Sequence, residues 1–439
     1  MDTELVINMI NNMKRGKAAD TDGISAEHLL FCHPCLSILL AKLFQLMIFT
    51  SYIPEGFRYS YIVPLPKPKE HFSKSLTCDD FRGIAISPTL SKVFEYCILD
   101  RFGSFLTTSD NQFGFKKGVG CNYAIRVVRN VVDTYIKNGS TANLCALDLS
   151  KAFDKVNHCA LYLKLMKRLI PHEILNLLEF WLSACYSCVK WCNVWSDFFN
   201  VNFGVRQGSV LSAFLFGVYV DDIARSSMLF RGSFLVLYAD DILLISPSVC
   251  MLEKLLKMCE HELGLLDMAI NTRKSCCLRI GPRYNSCCGS ISTSTGADIP
   301  WVDEIRYLGI FIVRSRKFKC SLDYAKKSYY RAANAIFGKI GRYASEDVTL
   351  QLINVKCVPI LMYGLEACPL VKSDLSSLDF VINRFFMKLF RTNYIDVVQC
   401  CQYYFGFDLP STIWLKRVQK FEAKFKECDN LFCKLTVCK

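Results

Sequence analysis

Short apolar runs with polar or glycine-rich breaks alternate along this chain with longer stretches whose apolar positions recur at helical spacing. That alternation predicts an α+β fold. Phe234 to Leu237 and Ile242 to Ile245 are wholly apolar and are separated only by Tyr238-Ala239-Asp240-Asp241. They predict a β-hairpin with two adjacent carboxylates at its tip. Upstream, Leu144-Cys145-Ala146-Leu147 predicts a further buried strand that ends at Asp148. Val127, Val128, Val131, Val132 and Ile136 share a helical face and predict a helix over 119–137. Further helices are expected over 252–266, 324–340 and 375–390, and a proline-rich strand over Ile62 to Pro68.

The longest apolar segment, Leu36 to Phe49, is interrupted by Lys42 and Gln45. It is shorter than the roughly 18 residues a membrane span requires, so it reads as a buried helix and no membrane is expected as a partner. Hydrophobic residues make up 52% of the 439 positions, enough for a large core and too many for a disordered chain. A chain of this length should divide into two or three compact parts. The opening Met1-Asp2-Thr3-Glu4 lacks the basic and apolar regions of a secretory signal, so a reducing intracellular setting, cytoplasm and nucleus, is expected. The 24 cysteines are then free thiols used as small apolar residues. The pairs Cys32/Cys35 and Cys185/Cys188 lie far apart, and Cys428, Cys433 and Cys438 have no nearby histidine, so no zinc quartet closes.

Charge narrows the partner. Fifty-three Lys and Arg against 40 Asp and Glu give +13, and 301–439 alone contributes +9. A polyanion fits this balance better than an acidic target. Arg314, Arg316, Lys317, Lys319, Lys326, Lys327 and Arg331 interleave with Phe318, Tyr324, Tyr329 and Tyr330, a mixture suited to holding phosphates and stacking on bases, or to a plain solvated helix face.

Adjacent carboxylates repel unless a cation neutralises them, and a hard divalent ion is the usual solution. Asp148 beside Asp240-Asp241 would supply three carboxylates, enough to hold two Mg²⁺ about 3.5–4 Å apart for an in-line phosphoryl displacement. A second Tyr-x-Asp-Asp, Tyr219-Val220-Asp221-Asp222, has no apolar return strand. Leu211, Leu215, Val218 and Asp222 have helical spacing, so it reads as a helix end that binds no metal.

Ala146 through His158, Gly204-Val205-Arg206-Gln207-Gly208-Ser209-Val210-Leu211-Ser212 and Tyr238 to Asp241 resemble, in order and spacing, the motifs of non-LTR (LINE-type) retrotransposon reverse transcriptases. Ile62 to Lys67, Asp80 to Ala85, Gln112 to Phe115, Asn271 to Ser275 and Tyr307-Leu308-Gly309 extend the likeness over about residues 10 to 315. The resemblance implies a right-hand polymerase fold, with an N-terminal extension and fingers over 1–140, a palm over 141–310 and a helical basic thumb over 311–439. It implies extension of a DNA primer with dNTPs on an RNA template, with the element's own RNA as the expected partner.

By the same resemblance Asp148, Asp240 and Asp241, with the Leu149 carbonyl, hold two Mg²⁺, for which Mn²⁺ can substitute. Phe153 stands under the nucleotide sugar and excludes a 2′-hydroxyl. Gln207 and Gly208 close over the nascent pair, Lys67 and Arg82 grip the triphosphate, and Lys274 protonates pyrophosphate. Tyr307, Leu308 and Gly309 support the primer end, with Arg314, Arg316, Lys317 and Lys319 on primer and template. Asp154 is expected to face away and cap a helix beginning near Val156. A group II intron maturase-like enzyme and an inactive RNA-binding relic are the competing readings. The endonuclease that many such elements place ahead of the polymerase, and an RNase H segment after it, are not found in the sequence.

Overall fold

The computed structural model describes residues 1–67, 76–341 and 343–437; Pro68, at the end of the expected strand, and Cys438 in the tail lie outside the described residues. The strands that organise the molecule are, in chain order, β1 (Tyr59–Pro66), β2 (Phe81–Ile86), β3 (Ala142–Leu147), β4 (Tyr186–Trp191), β5 (Phe234–Tyr238), β6 (Asp241–Ser246), β7 (Cys276–Ile280), β8 (Glu304–Tyr307) and β9 (Ile310–Val313). Packing divides the chain into two compact units. The first comprises Met1–Ser109, Leu149–Arg225 and His261–Ala269, and the second Asp110–Asp148, Ser226–Glu260 and Ile270–Lys439.

In the first unit β1 is central, antiparallel to β2 and parallel to β4, and the short strands Val194–Trp195 and Phe199–Asn200 extend β4. Helix Cys35–Thr50 buries Leu40, Ala41, Phe44 and Met47, with the Phe44 ring 4.9 Å from that of Phe94. The expectation of a buried helix needs correction. Leu39 and Phe49 are 63% and 85% exposed, because helices Thr3–Asn11 and His172–Ser183 cover only one side of a segment that is apolar all round.

Asp154 also departs from expectation. Ala152–Lys155 forms a single 3₁₀ turn, and the helix that follows is His158–Lys167. Its cap is Asn157, extended in backbone, whose side chain accepts from the Ala160 N–H. The second Tyr-x-Asp-Asp lies within helix Val210–Ser227, as its spacing predicts. Asp221 is fully buried, 2.7 Å from Arg168 and 3.2 Å from Arg225, and it accepts from the Ser109 N–H. Asp222 pairs with Lys164 at 2.6 Å. Burial works against the Asp222 charge, but the hydrogen bond and charge of Lys164 hold its carboxyl below the ordinary range.

The second unit is built on an antiparallel sheet of order β5-β6-β3-β7. Helix Cys121–Lys137 lays Val127, Val128, Val131 and Val132 into the same core as Leu144, Val236, Leu243 and Leu278. β8 and β9 form a hairpin that Cys320–Ser321 extends. Helices Asp323–Ile340, Lys372–Leu389, Ile395–Tyr404 and Pro410–Lys426 follow. Phe318 and Tyr329, expected among the rings available for stacking, are 4% and 0% exposed and belong to the core. Tyr324 stacks on Phe311 at 3.7 Å. Among the described residues the cysteines are free thiols, and no helix is long and apolar enough to cross a membrane.

Candidate active site

β3 is the centre of the second unit's sheet, and its apolar side chains fix its register between β6 and β7. Leu147 pairs with Ile242, so the next position, Asp148, lies alongside Asp241 at the same sheet edge. Neighbouring strands run about 4.8 Å apart, a separation that one cation between the carboxylates can bridge. Tyr238 pairs with Asp241 and leaves Ala239 and Asp240 as a two-residue turn. Ala239 has φ +56°, a conformation that side-chain-bearing residues adopt at a cost.

That turn is pinned by Gln112 to Phe115, a segment that entered the sequence analysis only as part of the family resemblance. Gln112 is fully buried, and its Oε1 accepts from the N–H groups of Ala239 and Gly114, each at 2.9 Å. Phe113 N–H donates to the Leu237 carbonyl, and Leu237 N–H to that of Asn111. A Cβ on Gly114 would lie 2.6 Å from the Ala239 nitrogen, so the close approach requires glycine. A glycine two residues after a glutamine in an apolar setting is the signal that could have marked this contact.

The Asp148 backbone is held from the other side. Its N–H donates to Ser275 Oγ at 3.1 Å and its carbonyl accepts from Asn271 N–H at 2.8 Å. This loop carries Lys274, whose Nζ is 3.7 Å from Asp148 Oδ2. Both groups are well exposed, so solvent screens the pair. Tyr307 is buried nearby: burial first, and then the charge of Asp241, push its phenol well above its usual range. In the β8–β9 hairpin Leu308 and Gly309 take φ +45° and +85°, and a Cβ on Gly309 would meet the Tyr363 ring at 2.7 Å. Arg314 is tied to Asp303 and to the Tyr284 carbonyl, whereas Arg316, Lys317 and Lys319 are exposed.

Among the described residues no three acidic, histidine or cysteine side chains are gathered as a metal cluster. The fit to a divalent cation rests instead on register and donor type: carboxylate oxygens from β3 and the β5–β6 turn come to one exposed edge, and oxygen is what Mg²⁺ prefers.

The first unit holds the other expected residues. Arg82 pairs with Leu65, and Lys67 lies two positions on, so both cations fall on one face of β1–β2; Lys67 Nζ donates to the Asp79 carbonyl. The Gln207 carbonyl accepts from Ala85 N–H at 2.8 Å, tying its loop to β2. Gly208 has φ +130°, and a Cβ there would fall 2.3 Å from the Ala85 oxygen. Phe153 stacks on Phe216 with ring centres 4.5 Å apart, while its backbone carbonyl accepts from Val205 N–H. Leu149 is buried.

Glu95, which the sequence reading passed over, is 1% exposed and accepts from Ser209 Oγ at 2.6 Å and Leu211 N–H at 2.9 Å. It thereby caps the helix that follows the Gln207-Gly208 loop. A lone acid among Val93, Phe94, Cys97 and Ile98 was the available clue.

The family model described as reverse transcriptase (RNA-dependent DNA polymerase) matches residues 65–312, more than half of the chain. The chain belongs to that family. With membership goes the fold class, α+β of the right-hand polymerase kind, in a family that generally depends on divalent metal. The RNA-directed DNA polymerase from the mobile element jockey of Drosophila funebris is 25% identical over 342 residues, covering 72% of this chain and 35% of that protein. The probable RNA-directed DNA polymerase from transposon X-element of Drosophila melanogaster is 26% identical over 350 residues, with the same coverage. That from transposon BS of the same species is 24% identical over 408 residues, covering 87% and 44%. This reverse transcriptase chain thus spans less than half the length of these relatives.

Proposed function

We propose that this chain is the RNA-directed DNA polymerase of a non-LTR retrotransposon, extending a DNA primer with dNTPs on an RNA template. The pairing of Leu147 with Ile242, which lays Asp148 beside Asp241, carries the reading. The primer 3′ hydroxyl attacks the α-phosphate of the incoming nucleotide. A phosphodiester bond forms, the bond to pyrophosphate breaks, and the hydroxyl proton passes to solvent.

Asp148, Asp240 and Asp241, with the Leu149 carbonyl, are the groups that would hold two Mg²⁺, or Mn²⁺ in their place. Bound there, the ions would lower the pKa of the attacking hydroxyl and offset charge on the leaving oxygen. Lys274 donates a proton to the departing pyrophosphate. Lys67 and Arg82 hold the triphosphate, Arg82 as a planar fork. Gln207 reads the sugar or base edge over the bare backbone of Gly208. Phe153 selects deoxyribose. Tyr307, Leu308 and Gly309 support the primer end, and Arg314, Arg316, Lys317 and Lys319 contact primer and template phosphates. The element's own RNA is the template class this implies, met in the cytoplasm or nucleus, and the fingers, palm and thumb follow the three stretches named above.

The test is primer extension on poly(rA)·oligo(dT), with and without Mg²⁺. Wild type should incorporate dTTP only with the ion, and Asp240→Asn should fall by about three orders of magnitude or more, the scale of losing metal-borne charge stabilisation. Its affinity for primer–template should persist. Synthesis retained by Asp240→Asn would place the chemistry elsewhere.

A further inference from the structure

The β8–β9 hairpin is fastened to the sheet at its base, where Val302 N–H donates to the Cys277 carbonyl at 2.8 Å. Its tip, Leu308-Gly309, stands beyond that fastening, and a two-stranded ribbon by itself is only marginally stable in water. Tyr307 does not brace the tip by hydrogen bonding, since its buried hydroxyl has no partner among the described residues. The tip needs support from outside the hairpin.

Tyr363 supplies it. Its ring lies so close to Gly309 that a Cβ there would fall 2.7 Å from it, yet the residue is 48% exposed and does not serve to fill the core. The Tyr363 phenol is hydrogen-bonded to the Cys121 thiol, and the same thiol is hydrogen-bonded to the phenol of Tyr238. Tyr238 leads into the turn that carries Asp240, and it pairs with Asp241. Burial first, and then the Cys121 contact, push the Tyr363 phenol up to about 12, so it stays protonated and keeps its hydrogen for the bond.

The anchors of this chain of contacts are themselves held. Cys121 is the first residue of helix Cys121–Lys137, whose apolar face lies in the core of the same unit. From that helix Asn122 donates to Glu366 Oε1 at 3.2 Å and Arg129 to the Ala367 carbonyl at 3.3 Å, which fixes the turn just after Tyr363.

We propose that Tyr363 and Cys121 are positioning residues for polymerisation, which through Gly309 and Tyr238 hold the tip of the primer-supporting hairpin at a fixed setting from the turn that carries Asp240. The proposal rests on the polymerase reading for what the hairpin supports, and on these contacts for the linkage. A tip free to move by an ångström would carry the primer 3′ hydroxyl out of attack geometry, a displacement that costs about a hundredfold in rate. In this role neither residue has to touch substrate, so affinity for primer–template and for dTTP should not depend on them.

The test uses the whole chain in excess over poly(rA)·oligo(dT), with Mg²⁺ and a range of dTTP, so that single-turnover rates describe assembled complexes only. Dissociation constants for the primer–template are read separately by fluorescence anisotropy. Tyr363→Ala should lower the rate at saturating dTTP by about thirty- to a hundredfold. The dTTP concentration for half-maximal rate and the primer–template affinity should stay within about twofold, since uniform binding is untouched. Tyr363→Phe keeps the ring on Gly309 and should lose only about fivefold, the worth of one net hydrogen bond. Cys121→Ala should lose about as much, and the two together no more than either alone, because both remove one contact. Cys121→Ser, which keeps a hydrogen-bonding side chain, should recover most of the rate lost in Cys121→Ala.

A wild-type rate in Tyr363→Ala, or a loss that lies wholly in primer–template affinity, would overturn the proposal. So would additive losses in Tyr363→Phe and Cys121→Ala, since the two side chains would then act independently. Failure of the polymerase reading shows separately, as absent dTTP incorporation by wild type.

Discussion

At the scale of single residues, Phe153 tests whether local packing supports the role that the family pattern implies. Its ring is half-buried and stacks on Phe216, whose own side chain is fully buried. A ring braced from behind cannot swing away from a ribose, so its discrimination should be steric rather than adaptive. Phe153→Ala should therefore admit ribonucleotides, lowering the ratio of dTTP to UTP kcat/KM by about a hundredfold, with most of the change in UTP. Single-nucleotide incorporation kinetics check this, and unchanged sugar discrimination would return Phe153 to the core. Asp148, Asp240 and Asp241 stood out in the sequence because they border wholly apolar runs that read as strands, whereas the register that sets Asp148 opposite Asp241 comes from the sheet. Gln112 and Glu95 were not, because their function lies in contacts with Ala239 and Leu211, more than a hundred residues away in sequence.

Among the elements, helix Val210–Ser227 shows how the same letters acquire opposite meanings. Tyr238-Ala239-Asp240-Asp241 sits where two strands reverse, so its carboxylates emerge at an edge, whereas Tyr219-Val220-Asp221-Asp222 sits inside a helix and its acids meet arginine and lysine. Helical spacing made that difference readable in advance; the buried partners were not readable, since Arg168 and Lys164 lie on helix His158–Lys167 and just beyond it. Asp221→Asn leaves Arg168, 14% exposed, without its counter-charge, and should cost about 3 kcal/mol of stability. Asp222→Asn, at a pair half open to water, should cost about 1 kcal/mol or less. Urea midpoints of the two variants check the contrast, and equal losses would mean that Asp221 is not the pair that matters. The same limit explains helix Cys35–Thr50: apolar content predicted burial, but only its neighbours decide which face is covered.

For the whole molecule, charge is the property most visible in the sequence and least informative about place. The +9 carried by 301–439 is not a uniform field. Arg314 already spends its charge on Asp303, while Arg316, Lys317 and Lys319 are exposed and have no ion pair among the described residues. The aromatic residues that seemed to belong with them divide the same way, Phe318 and Tyr329 inward and Tyr324 onto Phe311. Binding at this patch should thus be electrostatic, without a stacking contribution. Each phosphate neutralised contributes about 0.9 to the slope of log affinity against log salt on a duplex. Converting Arg316, Lys317 and Lys319 to glutamine should lower that slope by about two to three for primer–template, and Arg314→Gln alone by much less than one. Titrations over a range of KCl read both numbers; a triple variant with the wild-type slope would leave those cations to solvent and move the duplex contact to other parts of the basic C-terminal third.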